Sequence, residues 1–278
     1  MSAMWIEDTL EMEGTVLPVR VYRSETSARV ASRVPPLVFH LHGGAFVGGD
    51  LDCGETVCRM LSDAGAVVIS ADYPLAPEHR FPEALNVSFA ALSLLHRDRA
   101  TWGARGSKIF VAGEEAGANI AAALALMARD QQDPPIAGQI LLSPMLDPCL
   151  ATKSIRAAEA GPVGCKWADG WHRYLGTADK AAHPYAAPLI SRRLGDLAPA
   201  LVITAQDDPM HDESLAYAAR LASCGVEVRT HVLPAPTCWP CALERRANET
   251  PDWAATLGTL FTEFLAERSA PTRRTIRA

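Results

Sequence analysis

Apolar residues recur along this chain with two alternating periods. Leu37-Val38-Phe39-His40-Leu41-His42, Ala66-Val67-Val68-Ile69-Ser70, Ile109-Phe110-Val111-Ala112, Ile140-Leu141-Leu142 and Leu201-Val202-Ile203-Thr204 are short, largely apolar runs, the pattern of strands buried on both faces. Between them the spacing turns helical. After Glu115, the residues Ile120, Ala123, Leu124 and Met127 fall at i, i+3, i+4 and i+7. Phe81 to Leu95 reads as a helix opened by Pro82 in its first turn. Further helices are expected at about Asp212 to Ser223 and Trp253 to Glu267, with a last strand at Val226 to Leu233. Near the start, Trp5 to Leu10 and Val16 to Tyr22 read as strands. Strands alternating with helices predict an α/β protein with a central, mostly parallel sheet and helices on both faces. No repeat or linker interrupts the rhythm, so residues 1–278 are expected to form one domain. Residues 151–185 fit the rhythm poorly; Trp167, Trp171 and Tyr174 stand at near-helical spacing, which predicts a helical insertion, a cap, over the C-terminal edge of the sheet.

Composition narrows the class. Hydrophobic residues make up 49% and charged residues 21%, as in an ordinary soluble protein. The net charge of −6 leaves no basic footprint for nucleic acid. Met1 to Asp8 has neither a basic region nor an apolar core, so no signal peptide is expected. The longest apolar run, Ile120 to Ala128, is nine residues, too short to span a membrane. These readings place the protein in the cytoplasm, where its seven cysteines would be reduced thiols. Cys53, Cys58, Cys149, Cys165 and Cys224 have no metal-ligand spacing, and neither metal nor cofactor is expected. Arg268 to Ala278, with four arginines, reads as a solvated end.

Candidate chemistry lies at the strand exits. His42-Gly43-Gly44-Ala45-Phe46 follows the first buried strand, Asp72-Tyr73-Pro74-Leu75-Ala76-Pro77-Glu78-His79-Arg80-Phe81-Pro82 the second, and Gly113-Glu114-Glu115-Ala116-Gly117 the third. Further on stand His183-Pro184-Tyr185 and Asp208-Pro209-Met210-His211-Asp212-Glu213. In this order the segments resemble the motifs of hormone-sensitive-lipase-like esterases of the α/β-hydrolase fold, over about residues 14 to 265. The resemblance implies a nucleophile elbow at residue 115, a strained strand-to-helix turn that lifts one side chain above the sheet. It implies an oxyanion hole built from the backbone N–H groups of Gly43, Gly44 and Ala116, and Asp208 as the triad acid. An acyl-type substrate or another small-molecule ligand would be the partner, and a homodimer is an expectation by analogy.

Three departures stand out. Glu115 occupies the place of the nucleophilic serine. Cys238 falls where the resemblance puts the triad histidine, and no histidine follows His231, which reads as an ordinary strand residue. Fewer than about 15 residues precede the strand at Val16, so the cap is expected to be reduced to the 151–185 insertion. The expectation is therefore a protein that is not a normal carboxylesterase and binds a ligand or partner through the old pocket. The alternative is altered chemistry, in a hydrolase, lyase or isomerase, with Glu115 as general base or nucleophile, Asp208 retained and Cys238 as a partner acid. The Glu115 carboxylate is expected to seat itself on at least two of the Gly43, Gly44 and Ala116 amides, with a lowered pKa. Cys238-Trp239-Pro240-Cys241 has the spacing of a redox pair, although a hydrolase loop favours a fortuitous one. Glu114 needs no functional role on this reading.

Overall fold

A computed structural model describes residues 4–24, 34–159, 166–243 and 251–270. Cys165, the middle of the expected cap and the last eight residues lie outside the described part. Eight strands form one sheet: β1 (Met4–Met12), β2 (Thr15–Arg23), β3 (Leu37–Leu41), β4 (Val67–Ala71), β5 (Ile109–Glu114), β6 (Ile136–Leu142), β7 (Ala200–Ala205) and β8 (Val228–Leu233). Their order across the sheet is β1-β2-β4-β3-β5-β6-β7-β8. The β1–β2 hairpin is antiparallel and joins β4 antiparallel; every pairing from β4 to β8 is parallel. This is the fold class expected from the alternating periods.

The two-residue period of the strands sorts their side chains into two cores. Leu37, Phe39, Leu41, Val67, Ile69, Val111, Leu141 and Val202 point to one face. There they meet helices α2 (Glu83–Arg97), α3 (Ala116–Gln131) and α6 (His211–Ser223), through residues such as Leu92, Leu124 and Leu221. Val38, Val68, Phe110, Ile140, Leu201 and Ile203 point to the other face, against Val57 and Leu61 of α1 (Glu55–Asp63) and Phe261 and Phe264 of α7 (Ala254–Ser269).

The longer elements follow the sequence pattern closely, except for one helix. No element is expected from the sequence between β3 and β4, yet Glu55–Asp63 forms α1, burying Val57, Cys58 and Leu61. Parallel neighbours need a crossover long enough to return the chain, and a helix supplies it. In the 151–185 insertion, α4 (Lys153–Glu159) and α5 (Lys166–Leu175) flank the undescribed segment, and a 3-10 turn follows at Ala178–Ala182. Trp167, Trp171 and Tyr174 share the buried face of α5, as their spacing predicts. Among the described residues, no helix is long and apolar enough to cross a membrane.

Candidate functional site

The carboxyl ends of β3, β5, β7 and β8 open on one edge of the sheet, where α/β folds gather their chemistry. β5 runs into Glu115, which takes φ 51 and ψ −113 before α3 begins. A non-glycine residue held there stores roughly 1–3 kcal/mol of backbone strain. Its carbonyl accepts the N–H groups of Met145 and Asn119, and its own N–H donates to Leu142, so the turn is bound on both sides. Gly117 makes the tight exit possible: a Cβ there would lie 2.0 Å from the Leu41 carbonyl oxygen. The geometry is that of the strand-to-helix elbow expected at this position.

After β3, the chain turns back through Gly44, Ala45 and Phe46, all at positive φ. This turn is held from outside by Tyr73, whose hydroxyl donates to the His42 carbonyl at 2.8 Å and whose ring stacks on His42. The second motif segment is thus a brace for the first. Burial lowers the His42 pKa, so its imidazole is neutral, and its Nδ1–H donates to the Gly43 carbonyl at 2.7 Å.

Two backbone donors produced by this turn converge on one atom. Gly44 N–H and Ala45 N–H each lie 2.7 Å from Glu115 Oε2. The other oxygen, Oε1, accepts the Trp167 indole N–H at 2.6 Å and faces the Lys166 ammonium at 3.3 Å. The carboxylate is fully buried. Burial pushes its pKa up, but Lys166, followed by the hydrogen bonds from Gly44, Trp167 and Ala45, outweighs that and holds it below the ordinary range.

The expectation that Glu115 seats itself on at least two of the Gly43, Gly44 and Ala116 amides is not met: the carboxylate is seated on two amides, but only one of them is from that set. Gly44 is shared with the expectation; Gly43 and Ala116 give way to Ala45. The reason is local. Positive φ at Gly44 and Ala45 turns their successive N–H groups inward, while the glutamate side chain reaches past the elbow's own amide. Trp167 and Lys166 went unrecognised because no motif marks them, and Ala45, although inside the His42 to Phe46 motif, because the motif does not show which amides the turn points inward.

Helix α5 reaches the site by a close contact. A Cβ at Gly170 would lie 2.2 Å from the Ala45 carbonyl oxygen. The Tyr174 ring stacks on Phe46 at 4.0 Å between centroids, and the Trp171 ring lies 4.9 Å away. Packing on Phe46 thus brings Trp167 over Glu115.

Asp208 is buried, but its partners are not those expected. Oδ1 accepts the Ser143 hydroxyl at 2.7 Å and the Met210 N–H at 2.9 Å, and Oδ2 accepts the Thr204 hydroxyl at 2.6 Å. Burial raises its pKa above the ordinary value against the pull of these donors. Among the described residues, no hydrogen bond joins Asp208 to Cys238 or to Glu115. Cys238 is exposed, and its N–H, with that of Thr237, donates to Asp207. Asp207 fixes the backbone of this loop rather than its thiol. No disulfide joins Cys238 to Cys241.

Glu114 has a partner that the sequence does not announce. It is fully buried, and its Oε2 lies 2.7 Å from His40 Nε2, while His40 Nδ1 lies 3.0 Å from the Ser70 hydroxyl. Burial would lower the His40 pKa; Cys58 and Glu114 raise it well above the ordinary value. The His40–Glu114 contact ties β3, four residues before Gly44, to β5, one residue before Glu115.

Known proteins share this architecture. Esterase LipI of Mycobacterium tuberculosis is 37% identical over 229 residues, 80% of this chain and 71% of that protein. An arylesterase of Saccharolobus solfataricus is 33% identical over 221 residues, 78% of this chain and 70% of that protein. The crystal structure of a thermostable esterase from Pseudomonas putida superposes with a TM-score of 0.85 at 28% identity, covering 97% of this chain and 85% of that one. These relatives overturn the expectation of a protein that is not a normal carboxylesterase. Named esterases 37% and 33% identical over about four fifths of its length point to an esterase rather than to a protein without catalysis. The binding-protein reading and its lyase and isomerase alternatives fall with it. Residues 38–237 match the family model described as the alpha/beta hydrolase fold, and the chain belongs to that family, in its hormone-sensitive-lipase-like branch.

Proposed function

We propose that this protein is a carboxylic ester hydrolase acting on small acyl esters. The observation that carries the reading is the convergence of two backbone N–H groups, from Gly44 and Ala45, on a single oxygen at the elbow. Donors fixed in that way stabilise the oxyanion that forms when an ester carbonyl is attacked, an effect of roughly 3–4 kcal/mol per donor. The names of the relatives support the same reaction class.

Glu115 Oε2 now stands where the substrate's carbonyl oxygen would stand, so substrate and side chain compete for the same donors. Turnover runs from the state in which Glu115 has rotated aside. There its carboxylate takes a proton from water as the water attacks the acyl carbon, the work of a general base. The carbonyl electrons move to the oxygen held by Gly44 and Ala45, and their return expels the alcohol. Asp208 fixes the loops around Ser143 and Thr204 and does not receive that proton. A cytoplasmic location and a single domain over residues 1–278 remain part of this reading.

The test is hydrolysis of p-nitrophenyl acetate by the purified protein, compared with Glu115→Ala. Turnover that falls in the variant supports the reading. Absence of turnover by the wild type across acetyl, butyryl and phenyl esters would refute it.

A further inference from the structure

The Glu115 carboxylate has the form of the group that the proposed reaction consumes: two oxygens on one planar carbon. Its two oxygens meet different donors. Oε2 meets two backbone N–H groups, fixed in place and incapable of giving up a proton. Oε1 meets the Trp167 indole at 2.6 Å and the Lys166 ammonium at 3.3 Å. An ester laid over the carboxylate with its carbonyl oxygen on the two amides places its alkoxy oxygen at the Oε1 position. We infer that Lys166 is the group that protonates the departing alcohol, with the Trp167 indole orienting the same oxygen. This inference rests on the ester hydrolase reading.

The assignment of ends follows from charge. The carbonyl oxygen carries negative charge in the intermediate and must return its electrons to carbon, which suits donors that polarise without transferring a proton. The alkoxy oxygen acquires charge only as the C–O bond breaks and leaves well only as a neutral alcohol, which suits a proton donor. When that bond breaks, its electron pair goes to the alkoxy oxygen, which takes a proton from Lys166 Nζ. Glu115 meanwhile holds the proton taken from water. The Lys166 side chain is 29% exposed, so solvent carries the proton from the carboxyl group back to the amine. One water is consumed, and one acid and one alcohol are formed.

Lys166→Met also loosens the hold on Glu115, so a change in a single rate is ambiguous. The ratio of kcat/KM between two esters of one acid removes that ambiguity, because both compete with the same seated carboxylate. p-Nitrophenolate leaves without a proton, whereas ethoxide does not. For Lys166→Met, the ethyl to p-nitrophenyl ratio should fall by about 100-fold, the lower end of what a positioned acid contributes. Lys166→Arg, which keeps the charge but gives up its proton poorly, should recover part of the loss. An unchanged ratio overturns the inference and leaves the hydrolase reading standing.

A second measurement does not depend on turnover. Emptying the site in Glu115→Ala, or in Glu115→Gly where alanine is unstable at this positive φ, leaves the donors ready for acetate. Acetate binding, followed by tryptophan fluorescence, should weaken by about tenfold when Lys166→Met is added, as expected for loss of a charge-assisted contact. Equal acetate affinity with and without Lys166 overturns its placement even if no ester is turned over.

Discussion

Replacing Glu115 with glutamine keeps the size of the side chain and changes only what its outer atoms can accept. The amide oxygen can stay on Gly44 and Ala45. Its NH2 group must then face the Trp167 indole N–H, a donor against a donor, where Glu115 is fully buried and Trp167 is 3% exposed. An unmet buried donor costs about 1–3 kcal/mol. The lost attraction to the partly exposed Lys166 adds at most about 1 kcal/mol. A neutral amide is easier to bury than a carboxylate, which offsets part of the sum. The net expectation is a loss of about 2 kcal/mol at neutral pH, or roughly 4–8 °C in Tm for a chain of this size. Thermal and urea unfolding of both proteins over a pH series would measure it. The Glu115 pKa lies below its ordinary value of 4.5 in the folded state, so the carboxylate stabilises the fold above that pH. The contribution is lost as pH falls through the depressed folded value. The gap between wild type and Glu115→Gln should therefore be constant near neutrality and close in acid. A variant as stable as the wild type at neutral pH, or a gap that persists in strong acid, would refute the seating of the carboxylate on these four donors.

Other perturbations probe separate parts of the site. His40→Ala leaves the buried Glu114 side chain without its hydrogen-bond partner and should cost about 1–3 kcal/mol, read by urea unfolding. Gly170→Ala drives a Cβ into the Ala45 carbonyl and should cost about 1–3 kcal/mol of overpacking, with a change in tryptophan fluorescence as α5 lifts from the turn. Glu115→Ser with Cys238→His frees the Gly44 and Ala45 amides and offers a base; p-nitrophenyl acetate turnover should rise by about 100-fold over wild type. No gain would mean that the loop pinned by Asp207 does not present residue 238 to Asp208.

The parts of this site that were legible in the sequence are those fixed by local backbone rules. Gly113 to Gly117 announces a sharp turn because only glycine allows the close passage beside Leu41, and His42-Gly43-Gly44 announces a strand exit. The order of these segments was enough to name the family and to expect a carboxylate seated on amides. Which amides take part was not legible. That depends on how far φ is reversed through Gly44, Ala45 and Phe46, and a motif does not encode the phase of a turn. The partnership of Asp208 with Ser143 and Thr204 was hidden for a related reason: it joins the ends of β6 and β7, some 60 residues apart in the chain.

The sequence by itself determined the sheet, because alternating short apolar runs and helical stripes can be buried only as layers, and it placed a carboxylate at the head of the elbow. Only the tertiary structure decided what that carboxylate meets. Trp167 and Lys166 lie some fifty residues beyond Glu115, in an insertion whose spacing reveals a helix but not its destination. Their arrival over Oε1 depends on Gly170 closing on Ala45 and on Tyr174 stacking against Phe46. Such contacts between distant segments arise from packing, and packing is set by shape in three dimensions rather than by the period of a pattern.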